Sequence, residues 1–143
     1  LRYFLDKLPE ISRIYAIDPW KSYFDGFITV SQSEVDSWKS QAVDLIEPYR
    51  SKVIILEKSA NEAVIDIHDN ELDYVFIDGD HSYSHVLSDM RSYWQKVRPG
   101  GIFSGHDYHM QDVKNAVADF RKEMNILEPI QFTEQNVWFW TKK

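Results

Sequence analysis

Residues 72–81, reading LDYVFIDGDH, constrain this chain more than any other stretch. Positions 74–77 are an unbroken apolar run of aromatic and β-branched side chains, the pattern of a strand buried on both faces. Within one residue the run gives way to Asp78-Gly79-Asp80-His81, two acids and an imidazole around a glycine. In an open α/β sheet, ligands bind at the carboxyl ends of the strands. This junction is therefore the first place to expect a site.

The flanking sequence supplies the rest of such a sheet. Leu1, Phe4, Leu5 and Leu8 share helical spacing that Pro9 ends, and Ile14 to Ile17 form a short apolar strand stopping at Asp18-Pro19-Trp20. Residues 21–31, with Gly26, read as a loop. Val35, Trp38, Ala42, Leu45 and Ile46 mark one helix face, and residues 53–56 form another buried strand. Ser59 and Glu62 fit a capping box, opening a helix with Ala63, Val64 and Ile67 inward. Tyr83, Val86, Leu87, Met90, Tyr93, Trp94 and Val97 stripe the next helix, which Pro99-Gly100-Gly101 breaks. A strand at 101–105 runs into His106-Asp107. A helix striped by Val113, Ala116, Val117, Phe120 and Met124 follows, then two strands at 126–132 and 137–141. This alternation predicts a single α/β domain over 1–143, its sheet mostly parallel with an antiparallel C-terminal strand.

Composition narrows the class. With 143 residues, 43% hydrophobic and 27% charged, the chain can bury a sizeable core. No apolar run reaches the roughly 20 residues of a membrane helix. The net charge of -7, without a basic cluster, argues against a nucleic-acid partner. The absence of cysteine excludes disulfides and thiolate zinc sites and fits a reducing compartment, so a cytoplasmic location is expected.

Three predicted parallel strands end in polar groups, at Asp18, at Asp78 to His81, and at His106-Asp107. They are expected on one rim of the sheet. The residues alone leave Asp18 equally readable as an acid for a ribose diol or as a turn. Trp20 reads first as packing under its loop, and Ser59 as a helix cap. Gly79 reads as a backbone conformation closed to other residues, and Asp80 as a turn or cap residue. His81 and His85 lie one helical turn apart, with His85 on the surface. An isolated His-Asp pair such as His106-Asp107 is more often structural than catalytic.

Taken together, Asp78-Gly79-Asp80-His81-Ser82-Tyr83, Val97-Arg98-Pro99-Gly100-Gly101, Gly105-His106-Asp107-Tyr108 and Ile17-Asp18-Pro19-Trp20 resemble the class I S-adenosylmethionine-dependent methyltransferases, specifically the branch with IDGDHSY and GHDY motifs. The closing Val137-Trp138-Phe139-Trp140 fits that branch too. The resemblance implies a Rossmann-like sheet of seven strands in the order 3-2-1-4-5-7-6. It implies that Asp18 binds the cofactor ribose, with Trp20 and Ser59 near ribose and adenine and Asp78 beside the methyl group. His81, His106 and Asp107 become the catalytic candidates, and Asp80 and Tyr108 face the acceptor. Some related enzymes hold a divalent metal here; Asp78 and Asp107 would offer magnesium its hard oxygen ligands.

The resemblance also implies a first strand and glycine-rich loop that nothing in this chain matches. These residues are thus expected to carry strands two to seven and, alone, to bind the cofactor weakly or not at all. The expected function is methyl transfer to a small-molecule or sugar-containing acceptor, with general-base or metal assistance, in a chain open to self-association. The competing expectations are a non-catalytic binding module built on this fold, or another nucleotide-binding α/β protein.

Overall fold

The computed structural model describes residues 2–24 and 29–143. They form two compact units, Leu1–Ala63 and Val64–Lys143. The predicted positions of Leu1 and Gly26 lie outside the described residues.

The first unit opens with helix α1, Arg2–Lys7, which ends ahead of Pro9 and buries Leu5. Strand β1, Ile14–Ile17, follows. The segment expected as a loop instead contains β2, Tyr23–Phe24, paired antiparallel with β3, Thr29–Val30. Aromatic and β-branched residues at these four positions suit a short ladder. Helix α2, Gln32–Ile46, starts on a capping box: Glu34 accepts from the Ser31 backbone while the Ser31 hydroxyl accepts from the Glu34 amide. Of its predicted inward face, Val35 and Ile46 are buried, but Trp38 and Leu45 stay about half exposed. Strand β4, Val53–Leu56, pairs in parallel with β1 in unbroken register, Ile14 opposite Val53 and Ile17 opposite Leu56. Leu5, Ile46 and Val53 form the buried centre of this unit, with Ile14, Ala16 and Ile55 packed around them. Helix α3, Ala60–Ala63, is a single turn that passes into a 3-10 turn, shorter than the capping signal suggested.

The second unit holds β5 (Leu72–Ile77), α4 (Tyr83–Trp94), β6 (Val97–Gly105), α5 (Gln111–Glu123), β7 (Gln131–Phe132) and β8 (Trp138–Thr141). Its sheet runs β5-β6-β8-β7. The pair β5/β6 is parallel, and β8 enters antiparallel between β6 and β7, as the helix alternation and terminal strands predict.

Three expectations need correction here. The 74–77 run is not buried on both faces: Tyr74 and Phe76 are 42% and 40% exposed. Within its unit, β5 ladders only with β6, and the helices α4 and α5 pack on the face carrying Phe103. Pro99-Gly100-Gly101 does not terminate a helix; α4 ends at Trp94, and β6 runs through all three residues. A register shift opposite residues 72–74 accommodates them, with Gly100 at φ 82°. The strand expected from 126 shrinks to Gln131–Phe132, because the Arg121 guanidinium takes the Ile126 and Glu128 carbonyls out of any ladder.

The core of this unit is aromatic. Phe103 stacks on Phe120 with centroids 5.8 Å apart and on Trp140 at 5.4 Å, and Trp94 meets Phe103 edge-on at 5.3 Å. Lys142 closes it from below: its buried ammonium donates to the Trp94 and Val97 carbonyls, each at 2.7 Å, and lies 4.8 Å over the Trp94 ring. Burial pushes its pKa down. Lys142→Met removes both bonds and strands two carbonyls, and is expected to cost about 2 kcal/mol in urea unfolding.

Candidate functional site at the strand ends

The end of β5 and the end of β6 are held side by side. Ile77 pairs with Gly105, and the His106 amide donates to the Ile77 carbonyl at 3.0 Å. Asp78 and His106 therefore leave their strands at one rim, as predicted for this pair. The His106 carbonyl in turn accepts from the Trp138 indole at 3.0 Å, which pins this backbone to β8. Gly105 makes that possible: a Cβ there would overlap the Trp138 ring and lie 2.7 Å from the Ile77 carbonyl.

Asp107 follows in the left-handed region, φ 54°. A non-glycine residue there is uncommon, although Asp tolerates it better than most. Three imidazoles surround its largely buried carboxylate. His81 Nε2 is 2.7 Å away, His106 Nδ1 3.2 Å and His109 Nδ1 3.5 Å. His106 Nδ1 also lies 3.6 Å from Asp78. Desolvation works to lower the His106 pKa, but the hydrogen bond and charge of Asp107, with the charge of Asp78, outweigh it and raise the pKa above its ordinary value. One ligand-type atom from each of Asp78, His81 and Asp107 falls within 4.8 Å of the others.

The structure thus gathers Asp78, His81, His106 and Asp107. His109 joins them unpredicted; the spacing His106-Asp107-Tyr108-His109, with two imidazoles flanking an acid, was the available signal. Asp80 is occupied locally. Its carboxylate accepts from the Ser82 amide at 2.7 Å ahead of α4, and the hydrogen bonds from Ser82 hold its pKa below the usual range. Tyr108 packs its ring on Phe132 at 4.6 Å. His85 is exposed, as expected, and shares a 2.8 Å hydrogen bond with Ser82.

Gly79 corrects a further expectation. Its φ is not positive, and a Cβ would meet only Asp89 Oδ2 at 3.7 Å. The turn is made by Asp80 and Ser82 instead, so Gly79 supplies space above Asp89 rather than a forbidden conformation.

Burial pushes the Asp89 carboxyl up to about 6 from 3.8, with Asp80 adding to the effect and His85 opposing it. The folded protein binds this proton more tightly than the unfolded chain. Asp89 therefore costs nothing below its unfolded pKa, and its penalty grows as pH rises through the folded one. The gap corresponds to about 3 kcal/mol, which solvent contact reduces to about 1–2 kcal/mol. Asp89→Asn should stabilise the protein by that amount at pH 8 and have little effect at pH 4, as urea midpoints at the two pH values will show.

In the first unit, Asp18, Trp20 and Ser59 collect at the carboxyl end of the β1/β4 pair. The Asp18 amide donates to the Leu56 carbonyl at 3.2 Å. Asp18 Oδ1 accepts from the Trp20 amide at 2.7 Å, so the turn reading of Asp18-Pro19 holds. Trp20 sits at φ 48°, and its indole Nε1 is buried with no hydrogen-bond partner among the described residues. Such a donor is costly to leave unmet. Of the capping box expected at Ser59, the glutamate half is present, with the Ser59 amide and hydroxyl donating to Glu62 at 2.9 and 2.7 Å.

The family model described as a methyltransferase domain matches residues 1–108. Among solved structures, the chain resembles the O-methyltransferase NovP with a TM-score of 0.73 at 17% identity, covering 99% of this chain and 65% of that one. A protein from Corynebacterium glutamicum gives 0.65 at 17% identity, covering 98% and 65%. Of curated sequences, the uncharacterized protein R132 of Acanthamoeba polyphaga mimivirus is 36% identical over 74 residues, covering 44% of this chain and 34% of that protein. The uncharacterized protein y4gI of Sinorhizobium fredii is 28% identical over 93 residues, covering 62% of this chain and 10% of that protein. The chain thus spans about a third or less of the curated relatives and just under two thirds of these two solved structures.

Proposed function

The chain belongs to the methyltransferase domain family, and from that premise we propose that the protein moves a methyl group from S-adenosylmethionine to a hydroxyl of a small-molecule or sugar-containing acceptor. The gathering of Asp78, His81, His106 and Asp107 at two adjacent strand ends carries this reading. The unit is read as part of one methyltransferase-like domain spanning residues 1–143.

S-adenosylmethionine supplies an electrophilic methyl on a sulfonium, which passes to the acceptor oxygen while S-adenosylhomocysteine is released. The chain's own residues have two tasks. Asp18 offers a carboxylate to the ribose hydroxyls, with Oδ2 as the oxygen not engaged by Trp20. The Trp20 Nε1 in the same loop, unmet among the described residues, supports a polar ligand there. At the other task, His106 takes the acceptor's proton at Nε2, while Nδ1, the nitrogen facing both Asp107 and Asp78, keeps its own proton and lets their charges stabilise the imidazolium. Asp80 and Tyr108 lie beside these groups in sequence and are proposed to face the acceptor. Asp78, His81 and Asp107 present a donor set that fits a divalent ion, which would lower the pKa of an acceptor hydroxyl bound to it.

The test is incubation of the protein with methyl-labelled S-adenosylmethionine and a panel of phenolic, catecholic and glycosylated hydroxyl compounds. Labelled product that disappears in Asp107→Asn is expected. Cofactor binding with no transfer to any compound would favour the non-catalytic module.

A further inference from the structure

We infer that Asp78, His81 and Asp107 select a later first-row transition ion such as iron, cobalt or nickel over magnesium, with His81 Nε2 as the deciding ligand. This rests on the proposed methyltransferase site and deepens it, since the resemblance alone points to oxygen ligands for magnesium.

The donor set carries the argument. One atom from each residue lies within 4.8 Å of the others, so a single ion can touch all three. Two of the donors are carboxylates and one is an imidazole. Magnesium prefers an octahedron of oxygen ligands and dehydrates reluctantly, and manganese shares its liking for oxygen, whereas imidazole suits iron, nickel and zinc, with cobalt between iron and nickel in affinity. Two carboxylates with one neutral imidazole also balance a divalent charge. The frame is firm: Asp78 and Asp107 extend from strands locked by the pairing of Ile77 with Gly105, and the Asp107 side chain is only 16% exposed. His81 reaches Asp107 at 2.7 Å from the other strand end. His106 Nδ1, 3.2 Å from Asp107 and 3.6 Å from Asp78, is placed to orient both carboxylates from outside the triad.

The experiment uses chelator-treated protein. Manganese, cobalt and magnesium chlorides are titrated by calorimetry, and the visible spectrum of the cobalt form is recorded. One ion per chain is expected, with cobalt bound at least about tenfold more tightly than magnesium and manganese closer to magnesium. His81→Gln should reduce the cobalt-to-magnesium ratio by about tenfold or more and shift the cobalt absorption bands, while exposed His85→Gln leaves both unchanged. Circular dichroism checks that each variant is folded. Equal or tighter magnesium binding, absence of any bound ion, or a His81→Gln spectrum identical to wild type would overturn the inference. S-adenosylhomocysteine is titrated into the same samples. Ion selectivity lost with that heat retained refutes this inference alone; the heat lost with selectivity retained refutes the methyltransferase reading instead.

Discussion

Gly105→Ala is expected to be the most damaging single-methyl change in the second unit, costing about 3 kcal/mol or more. The added Cβ would overlap the Trp138 ring and press on the Ile77 carbonyl at 2.7 Å, and neither neighbour can yield cheaply. Trp138 is fully buried, stacked on Trp140 at 5.3 Å and bonded to the His106 carbonyl. The Ile77 carbonyl belongs to the ladder that places Asp78. The loss should appear as a fall in Tm of about 10 °C, together with weakened ion and ligand binding because His106 is the next residue. Gly79→Ala is the control: with 3.7 Å to the nearest atom and an ordinary φ, it should change Tm little. Equal effects at the two glycines would contradict this assignment of space.

Asp18→Ala is expected to weaken S-adenosylhomocysteine binding by about 10- to 150-fold, the loss of a charge-assisted contact worth about 1.5–3 kcal/mol. Asp18→Asn, which keeps the hydrogen bond from the Trp20 amide, separates the two roles of this residue. If Asp18 only shapes its turn, Asn restores affinity fully; if it holds the ribose, Asn recovers only part. Calorimetry on the intact protein reads the difference.

The pattern of helices and parallel strands was legible because it rests on periodicity, which survives without tertiary detail. The polar ends of 74–77 and 101–105 could be paired from the same logic, and His106 donating to Ile77 bears that out. Other features depend on neighbours that a linear reading does not reveal. Gly79 and Gly105 look alike in sequence, each beside a strand end, yet only Gly105 faces an indole across the sheet. Pro99-Gly100-Gly101 has the composition of a helix stop but is taken up inside β6 by a bulge whose Gly101 carbonyl and Gly100 amide bond to Lys142. The apolar run at 74–77 matched a buried strand, whereas its burial depends on how many neighbours ladder to it. The convergence of three imidazoles on Asp107 was hidden because His81 is 26 positions away and the positive φ of Asp107 is a local choice.

A protein with this domain is expected to hold the methyl donor. Calorimetric titration of S-adenosylhomocysteine into the intact protein tests it most directly, with S-adenosylmethionine as competitor. One saturable site per chain, with micromolar or tighter affinity and full displacement by the donor, is the predicted result; no heat at millimolar ligand from a folded sample would contradict the claim.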